Sequence, residues 1–185
     1  MANGDVPVDT GFIVYNERNY PQLSALFRHL NLPTQDSEMS FAFAASDINL
    51  EYAGSSIKTL FAQRRNILRP RFLGMVRDIL RFNREANRRL ENGEGHQQSL
   101  GELLDEIGVG EAFRRYYLLP MSAAIWSCPQ DVMLRFPARS FLRFFANHGL
   151  IQLANRPQWR TVIGGSREYI QRMQKAIQHI HTATP

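Results

Sequence analysis

From Pro70 to the break at Asn92-Gly93-Glu94-Gly95 the chain carries one long helical period. Proline suits the first turn of a helix, where its missing N–H would be unpaired in any case. Phe72, Met75, Val76, Ile79, Leu80, Asn83 and Ala86 then share one face, apolar except for Asn83. Arg77, Arg81, Arg84 and Arg88 cover the rest. The two glycines end the period in an exposed loop.

The flanking segments are shorter. Val8 to Tyr15 reads as a strand interrupted at Gly11, and Asn19 is placed to cap a helix with Tyr20 and Pro21 in its first turn. Leu23, Leu26, Phe27 and Leu30 give that helix its apolar stripe, and Asn31-Leu32-Pro33 ends it. Met39, Phe41, Phe43 and Ala45 alternate with smaller residues, Ser46-Asp47-Ile48-Asn49 forms a turn, and Leu50-Glu51-Tyr52 returns, which predicts a hairpin. A short helix is expected over Ile57–Gln63. Ser99-Leu100-Gly101-Glu102 is a capping box, Leu100, Leu103, Leu104 and Ile107 bury the helix it opens, and Gly108 stops it. A helix follows over Glu111–Tyr117, and Pro120 starts or kinks the next. An aromatic helix over Phe141–Asn147 closes at Gly149. Leu150–Leu153 and Arg160–Ile163 read as strands. Ser166 is expected to cap a last helix buried through Tyr169, Ile170, Met173, Ile177 and Ile180.

This order predicts an α+β fold with helices in the majority, a few short strands and a hairpin. It is not a repeated βαβ pattern, and no G-x-G-x-x-G follows a strand, so a complete dinucleotide-binding domain is excluded on topology and on motif. The expectation is one domain over 1–185, with a helical insert over about 56–149 and strand-containing parts over about 6–53 and 150–185.

Composition narrows the class. The chain has 185 residues, 44% of them hydrophobic and 21% charged, enough for a sizeable core and against global disorder. Lys+Arg 22 against Asp+Glu 17 leaves +5, too mild a balance to demand nucleic acid. The single cysteine, Cys128, allows no intramolecular disulfide and points to a reducing, cytoplasmic setting. No apolar run approaches the ~20 residues of a membrane span, and the N-terminus shows no secretory signal.

Two separated motifs carry the functional reading. Near the start stands Pro7-Val8-Asp9-Thr10-Gly11-Phe12-Ile13-Val14-Tyr15-Asn16, continued by Asn19-Tyr20-Pro21. Near the end stands Arg160-Thr161-Val162-Ile163-Gly164-Gly165-Ser166-Arg167-Glu168-Tyr169. Each is an extended segment meeting glycine, which lets a backbone turn with positive φ or approach a ligand closely. Between them lie Leu118-Leu119-Pro120-Met121-Ser122-Ala123-Ala124-Ile125-Trp126-Ser127, Phe136-Pro137, and Phe141-Leu142-Arg143-Phe144-Phe145-Ala146-Asn147-His148-Gly149-Leu150. Over most of its length the chain resembles the flavin-containing amine oxidase family, relatives of phytoene desaturases and protoporphyrinogen oxidases, and in its middle a bacterial branch of flavin-containing amine oxidoreductases.

The resemblance implies FAD as cofactor. It implies that Thr10, Gly11, Phe12 and Ile13 run past the flavin ring, and that Gly164 and Gly165 lead back toward the cofactor domain. Trp126, Phe144, Phe145, His148 and Trp159 become candidates for a cavity that takes a small amine or apolar substrate. No catalytic residue is assigned, because the family's lysine–water arrangement has no counterpart: Lys58 and Lys175 are the only lysines and neither sits in a matching motif. The chain reads as the substrate side of such an enzyme, inactive alone, with an FAD-binding domain as its partner in cis or in trans. Apolar surface left at that docking face would favour a homodimer.

A different class competes. Arg64, Arg65, Arg69, Arg71, Arg77, Arg81, Arg84, Arg88 and Arg89 fall in one segment, as in a non-enzymatic module for anionic partners. The alternative is a solvated helix face with Asp78 and Glu85 as counter-charges. Tyrosine and phenylalanine do not interleave as a base-stacking platform would, so no specific nucleic acid is expected. His29, His96, His148, His179 and His181 are scattered, and no metal site is expected.

Overall fold

A computed structural model describes residues 14–54, 56–94, 97–152, 156–177 and 179–181. The fold is α+β and mostly helical, with two small antiparallel strand pairs. The chain divides into two compact units, one built from 1–39 and 157–185 and the other from 40–156. The hairpin therefore belongs with the helices.

In the first unit α1 (Pro21–His29) precedes β1 (Thr34–Ser37), and β4 (Trp159–Val162) precedes α9 (Ser166–Ala176). β1 and β4 pair antiparallel, with Thr34 opposite Val162 and Ser37 opposite Trp159. β1 has no apolar alternation and was not foreseen. The guanidinium of Arg160 fixes it instead, bonding the Thr34 hydroxyl and, at 2.6 Å, the Asp36 carboxylate. The cap of α1 also differs from expectation. Tyr20, not Asn19, occupies the cap position, and the Asn16 side chain takes the Asn19 N–H at 2.9 Å. The small core here is Tyr15, Phe27 and Val162, with the ring of Tyr169 of α9 tilted against Phe27 at 5.7 Å. The expected burial of the last helix is only partial: Ile170, Ile177 and Ile180 stay close to half exposed. Gly165 rather than Ser166 stands at its cap. Of the first predicted strand, Val8 to Ile13 lie outside the described residues, and Tyr15 forms a single bridge to Arg160.

In the second unit β2 (Ala42–Ala45) and β3 (Leu50–Ala53) make the predicted hairpin, in register Ala42–Ala53 to Ala45–Leu50. Asn49 closes its turn at positive φ, a conformation asparagine tolerates. α2 (Ile57–Leu60) is shorter than expected and gives way to a 3₁₀ turn, Arg64–Leu68. α3 (Pro70–Asn92) is the predicted long helix, with Pro70 in its first turn and Gly93 at its left-handed cap. Its buried face differs in detail. Leu80 is 49% exposed, whereas Asp78, Phe82 and Arg89 are buried.

α4 (Leu100–Ile107) has the expected capping box: the Ser99 Oγ accepts from the Glu102 N–H and the Glu102 carboxylate accepts from the Ser99 N–H. Its four apolar residues are buried and Gly108 ends it at φ 71. α5 (Glu111–Phe113) runs through a π turn, Arg114–Leu118, into α6 (Leu119–Trp126), and Pro120 stands in the first turn of α6, as expected. α7 (Gln130–Leu134) and α8 (Ala138–Asn147) complete the layer. Among the described residues the predicted strand after α8 is absent: Leu150 and Ile151 are turn residues, with the Leu150 N–H on the Phe145 carbonyl, Gln152 is irregular, and Leu153 lies outside the described residues.

The large core joins α3, α4, the π turn, α6 and α8 beneath the hairpin, with Phe82, Leu100, Leu103, Leu104, Phe113 and Phe141 almost wholly enclosed. Asp78 is one of several polar residues buried in this unit. Its Oδ2 accepts the Gly110 N–H at 2.8 Å, at the start of α5, where a carboxylate complements the unpaired N–H groups of a helix.

Candidate functional site

Four of the five predicted substrate residues come together. Trp126, at the end of α6, lies against Phe144 at 4.5 Å and stacks on Phe141 and Phe145 of α8. His148 stacks on Phe144 at 3.9 Å, and its Nδ1 is 2.8 Å from the Phe144 carbonyl. The i, i+4 spacing of Phe141, Phe145 and of Phe144, His148 places the rings in two helical columns. Phe141 and Phe145 are 0% and 1% exposed, so this cluster is packed core with Trp126, Phe144 and His148 at its edge. Trp159, the fifth, stands on β4 in the other unit, buried and opposite Ser37.

The better-formed cavity lies elsewhere in the helical unit. It has a volume of about 330 Å³ and is lined by Ile48 and Leu50 of the hairpin, Phe72 and Met75 of α3, Ala112 of α5 and Tyr116 of the π turn. Leu68, Arg69, Pro70 and Arg71 complete its wall. That volume falls in the range of small-ligand pockets, and an apolar lining with a few charged groups is their usual chemistry. Arg71 stands 5.0 Å from the Tyr116 ring centroid as a cation–π pair. Arg69 donates to the Asn49 carbonyl at 3.0 Å. The lining comes from separate stretches of chain, so no local motif announced it. None of the predicted substrate residues lines it.

Tyr15, at the end of the first motif, forms an isolated bridge to Arg160, at the start of the second. The two exchange both backbone bonds, at 2.9 and 2.7 Å. Thr10, Gly11, Phe12 and Ile13 themselves lie outside the described residues. Gly164 and Gly165 turn into α9 at φ 88 and φ 81, a region that favours glycine. A Cβ on Gly164 would come within 2.8 Å of the Glu168 side chain. Asn16 is fully buried beside this pairing, and its Nδ2 has no hydrogen-bond partner among the described residues.

The arginine segment is largely committed to the fold. Arg88 binds Glu85 and Glu94, and the buried Arg89 binds Glu85 and Glu106. Arg81 donates to the Gly108 carbonyl, and Arg65 to the Asn49 carbonyl. These pairs set an acid response. The bond from Arg88, with help from Arg89, holds the Glu85 carboxyl down at about 2, and Glu94 and Glu106 are lowered by Arg88 and Arg89 respectively. A carboxyl lowered in the folded state adds stability above its ordinary value of 4.5 and loses it as the pH falls toward the folded value. Stability is therefore expected to fall between pH 4.5 and about 2, and Glu85→Gln to flatten that slope in urea titrations across the window. An unchanged slope in the variant would remove Glu85 from the account.

Among the described residues no group of three His, Cys, Asp or Glu side chains is placed to hold a metal, and no helix is long and apolar enough to cross a membrane. The Cys128 Sγ lies 3.2 Å from the Met133 Sδ. No family model matches the chain, and no curated protein matches it.

Proposed function

We propose that this chain forms the substrate-binding side of an FAD-dependent, amine oxidase-like oxidoreductase that a dinucleotide-binding domain completes in cis or in trans. The observation that carries the reading is the Tyr15–Arg160 pairing, which brings together two motifs separated by most of the sequence. Two features fit a bound cofactor: the side-chain-free turn at Gly164 and Gly165, and the buried, unpaired Nδ2 of Asn16. One does not, since the chain has no G-x-G-x-x-G loop to cradle a pyrophosphate. When bound, the flavin would accept a hydride equivalent from a C–N or C–C bond; the protein's part is to bind and orient the substrate. Within the helical unit the apolar cavity beside Tyr116 is the place we assign to an apolar ligand.

The test is a flavin titration of the purified chain, followed by absorbance and tryptophan quenching, alone and with a separately expressed G-x-G-x-x-G domain. No binding alone and stoichiometric binding with the second domain is the expected result. Stoichiometric FAD on the chain alone would refute the need for a partner domain. No binding in either arm would refute the flavin reading.

A further inference from the structure

The exposed face of α3 is not the solvated arginine surface that its composition suggests. Leu73, Arg77, Leu80 and Arg84 follow one another at spacings of four, three and four, which places them on a single stripe. That stripe is opposite Met75, Phe82 and Ala86, which are buried. Leu73 and Leu80 are 43% and 49% exposed there, where a soluble helix normally carries polar groups. The turn leading into the helix continues the pattern. Ile67 is 52% exposed and Leu68 is 85% exposed. Scattered exposed leucines are ordinary, but Leu73 and Leu80 alternate with Arg77 and Arg84 on one stripe, and the turn before the helix adds two further exposed aliphatic side chains.

The charge of the patch is one-signed. Residues 57–84 hold seven arginines, one lysine and a single acid, Asp78. That acid is buried and bound to the Gly110 N–H, so it contributes little to the surface. The ion-paired Arg88 and Arg89 lie beyond this segment. Arg64, Arg77 and Arg84 are exposed; Arg77 donates to the buried Asp78 carboxylate at 3.5 Å while its own side chain stays largely in solvent.

We propose that this face of α3, with the Arg64–Leu68 turn, docks on the surface of a bilayer containing anionic phospholipid. Aliphatic tips that reach past a cationic collar are what an interfacial helix presents, with the apolar groups at the acyl boundary and the arginines among the phosphates. A nucleic acid would use the arginines but offers nothing to Leu68, Leu73 and Leu80. The segment's own rings, Phe72 and Phe82, are buried and unavailable for base stacking. Leu68 also lines the apolar cavity with Phe72 and Met75, so it is the turn, and not the outer stripe of α3, that adjoins the cavity. The proposal does not depend on the flavin reading.

The test is vesicle co-sedimentation of the full chain at physiological salt. Vesicles of phosphatidylcholine carrying about one-third phosphatidylglycerol are compared with phosphatidylcholine alone. Partition onto the anionic vesicles is expected to be at least about tenfold stronger. Arg64→Gln, Arg77→Gln and Arg84→Gln together should weaken it about 100-fold. Leu68→Ser, Leu73→Ser and Leu80→Ser together should weaken it about tenfold. Both sets change exposed side chains; circular dichroism and thermal unfolding check that the fold is kept, and the single Leu68→Ser stands in if the triple variant unfolds. Equal partition on neutral vesicles would overturn the proposal. So would anionic binding that ignores the serine changes, which is charge attraction without insertion. Displacement by duplex DNA at equal phosphate, again insensitive to the serines, would assign the face to nucleic acid instead.

Discussion

Phe141→Ala is expected to destabilise the chain by about 3 to 5 kcal/mol, the cost of removing a fully enclosed aromatic ring and leaving a cavity. Phe141 is 0% exposed, and its ring stacks on Phe145 at 4.2 Å and on Trp126 at 5.6 Å. The ring thus packs between α6 and α8. Thermal unfolding should move down by about 10 °C for a chain of this length. Trp126 fluorescence should shift to the red as water reaches its ring. Phe141→Leu keeps most of the volume and should cost under about 1.5 kcal/mol. If the alanine variant lost less than the leucine variant, the cluster would not be packed core, and Trp126, Phe144 and His148 would regain their standing as the wall of a ligand site.

That cluster shows where sequence reasoning reached and where it stopped. The helices were legible wherever their signals were local: Pro70 and Gly93 bound α3, and Ser99 and Glu102 open α4. The hairpin was legible because Phe43 and Tyr52 face inward at alternate positions and meet across the strands at 5.7 Å. β1 was not, because Thr34-Gln35-Asp36-Ser37 has no apolar face. Its partner strand begins more than a hundred residues later, and the side-chain bonds across the pair come from the Arg160 guanidinium. Of the side chains proposed for a substrate, Phe144, Phe145 and His148 are neighbours because α8 spaces them and Trp126 of α6 joins them, whereas Trp159 lies on β4; neighbours on a helix serve a core as readily as a pocket. The cavity itself is assembled from the hairpin, the start of α3 and the π turn, a juxtaposition that no single stretch of sequence encodes. Leu80 was read as part of the apolar face, yet the helical angle carries it to the outer stripe, where it is 49% exposed.

Tyr52→Phe is expected to cost about 1 to 3 kcal/mol, the range for stripping a buried carbonyl of a hydrogen-bond donor. The reason begins at Pro120. In an α-helix the Tyr116 carbonyl would receive the N–H four residues on, but that residue is proline, which has none and whose ring crowds the same carbonyl. The chain widens into a π turn, in which the Leu119 N–H reaches back five residues to Arg114. Tyr52, 3% exposed on β3, then donates its hydroxyl to the Tyr116 carbonyl at 2.5 Å and ties the hairpin to the helical layer. If this account is right, Pro120→Ala supplies an N–H to that carbonyl, and Tyr52→Phe should cost less in the alanine background. A double-mutant cycle in urea should therefore show coupling above about 0.5 kcal/mol; additivity within that margin would break the link between the proline and the tyrosine. An alkaline titration gives an independent reading. Burial, and then the neighbouring Tyr117, push the Tyr52 hydroxyl far above the ordinary phenol value of 10.0. The group therefore contributes its full stability below pH 10 and loses it as the pH rises further, because the unfolded chain gives up the proton first. Wild-type stability should fall more steeply above pH 10 than that of Tyr52→Phe, in which Tyr117, also raised by burial, is left to titrate.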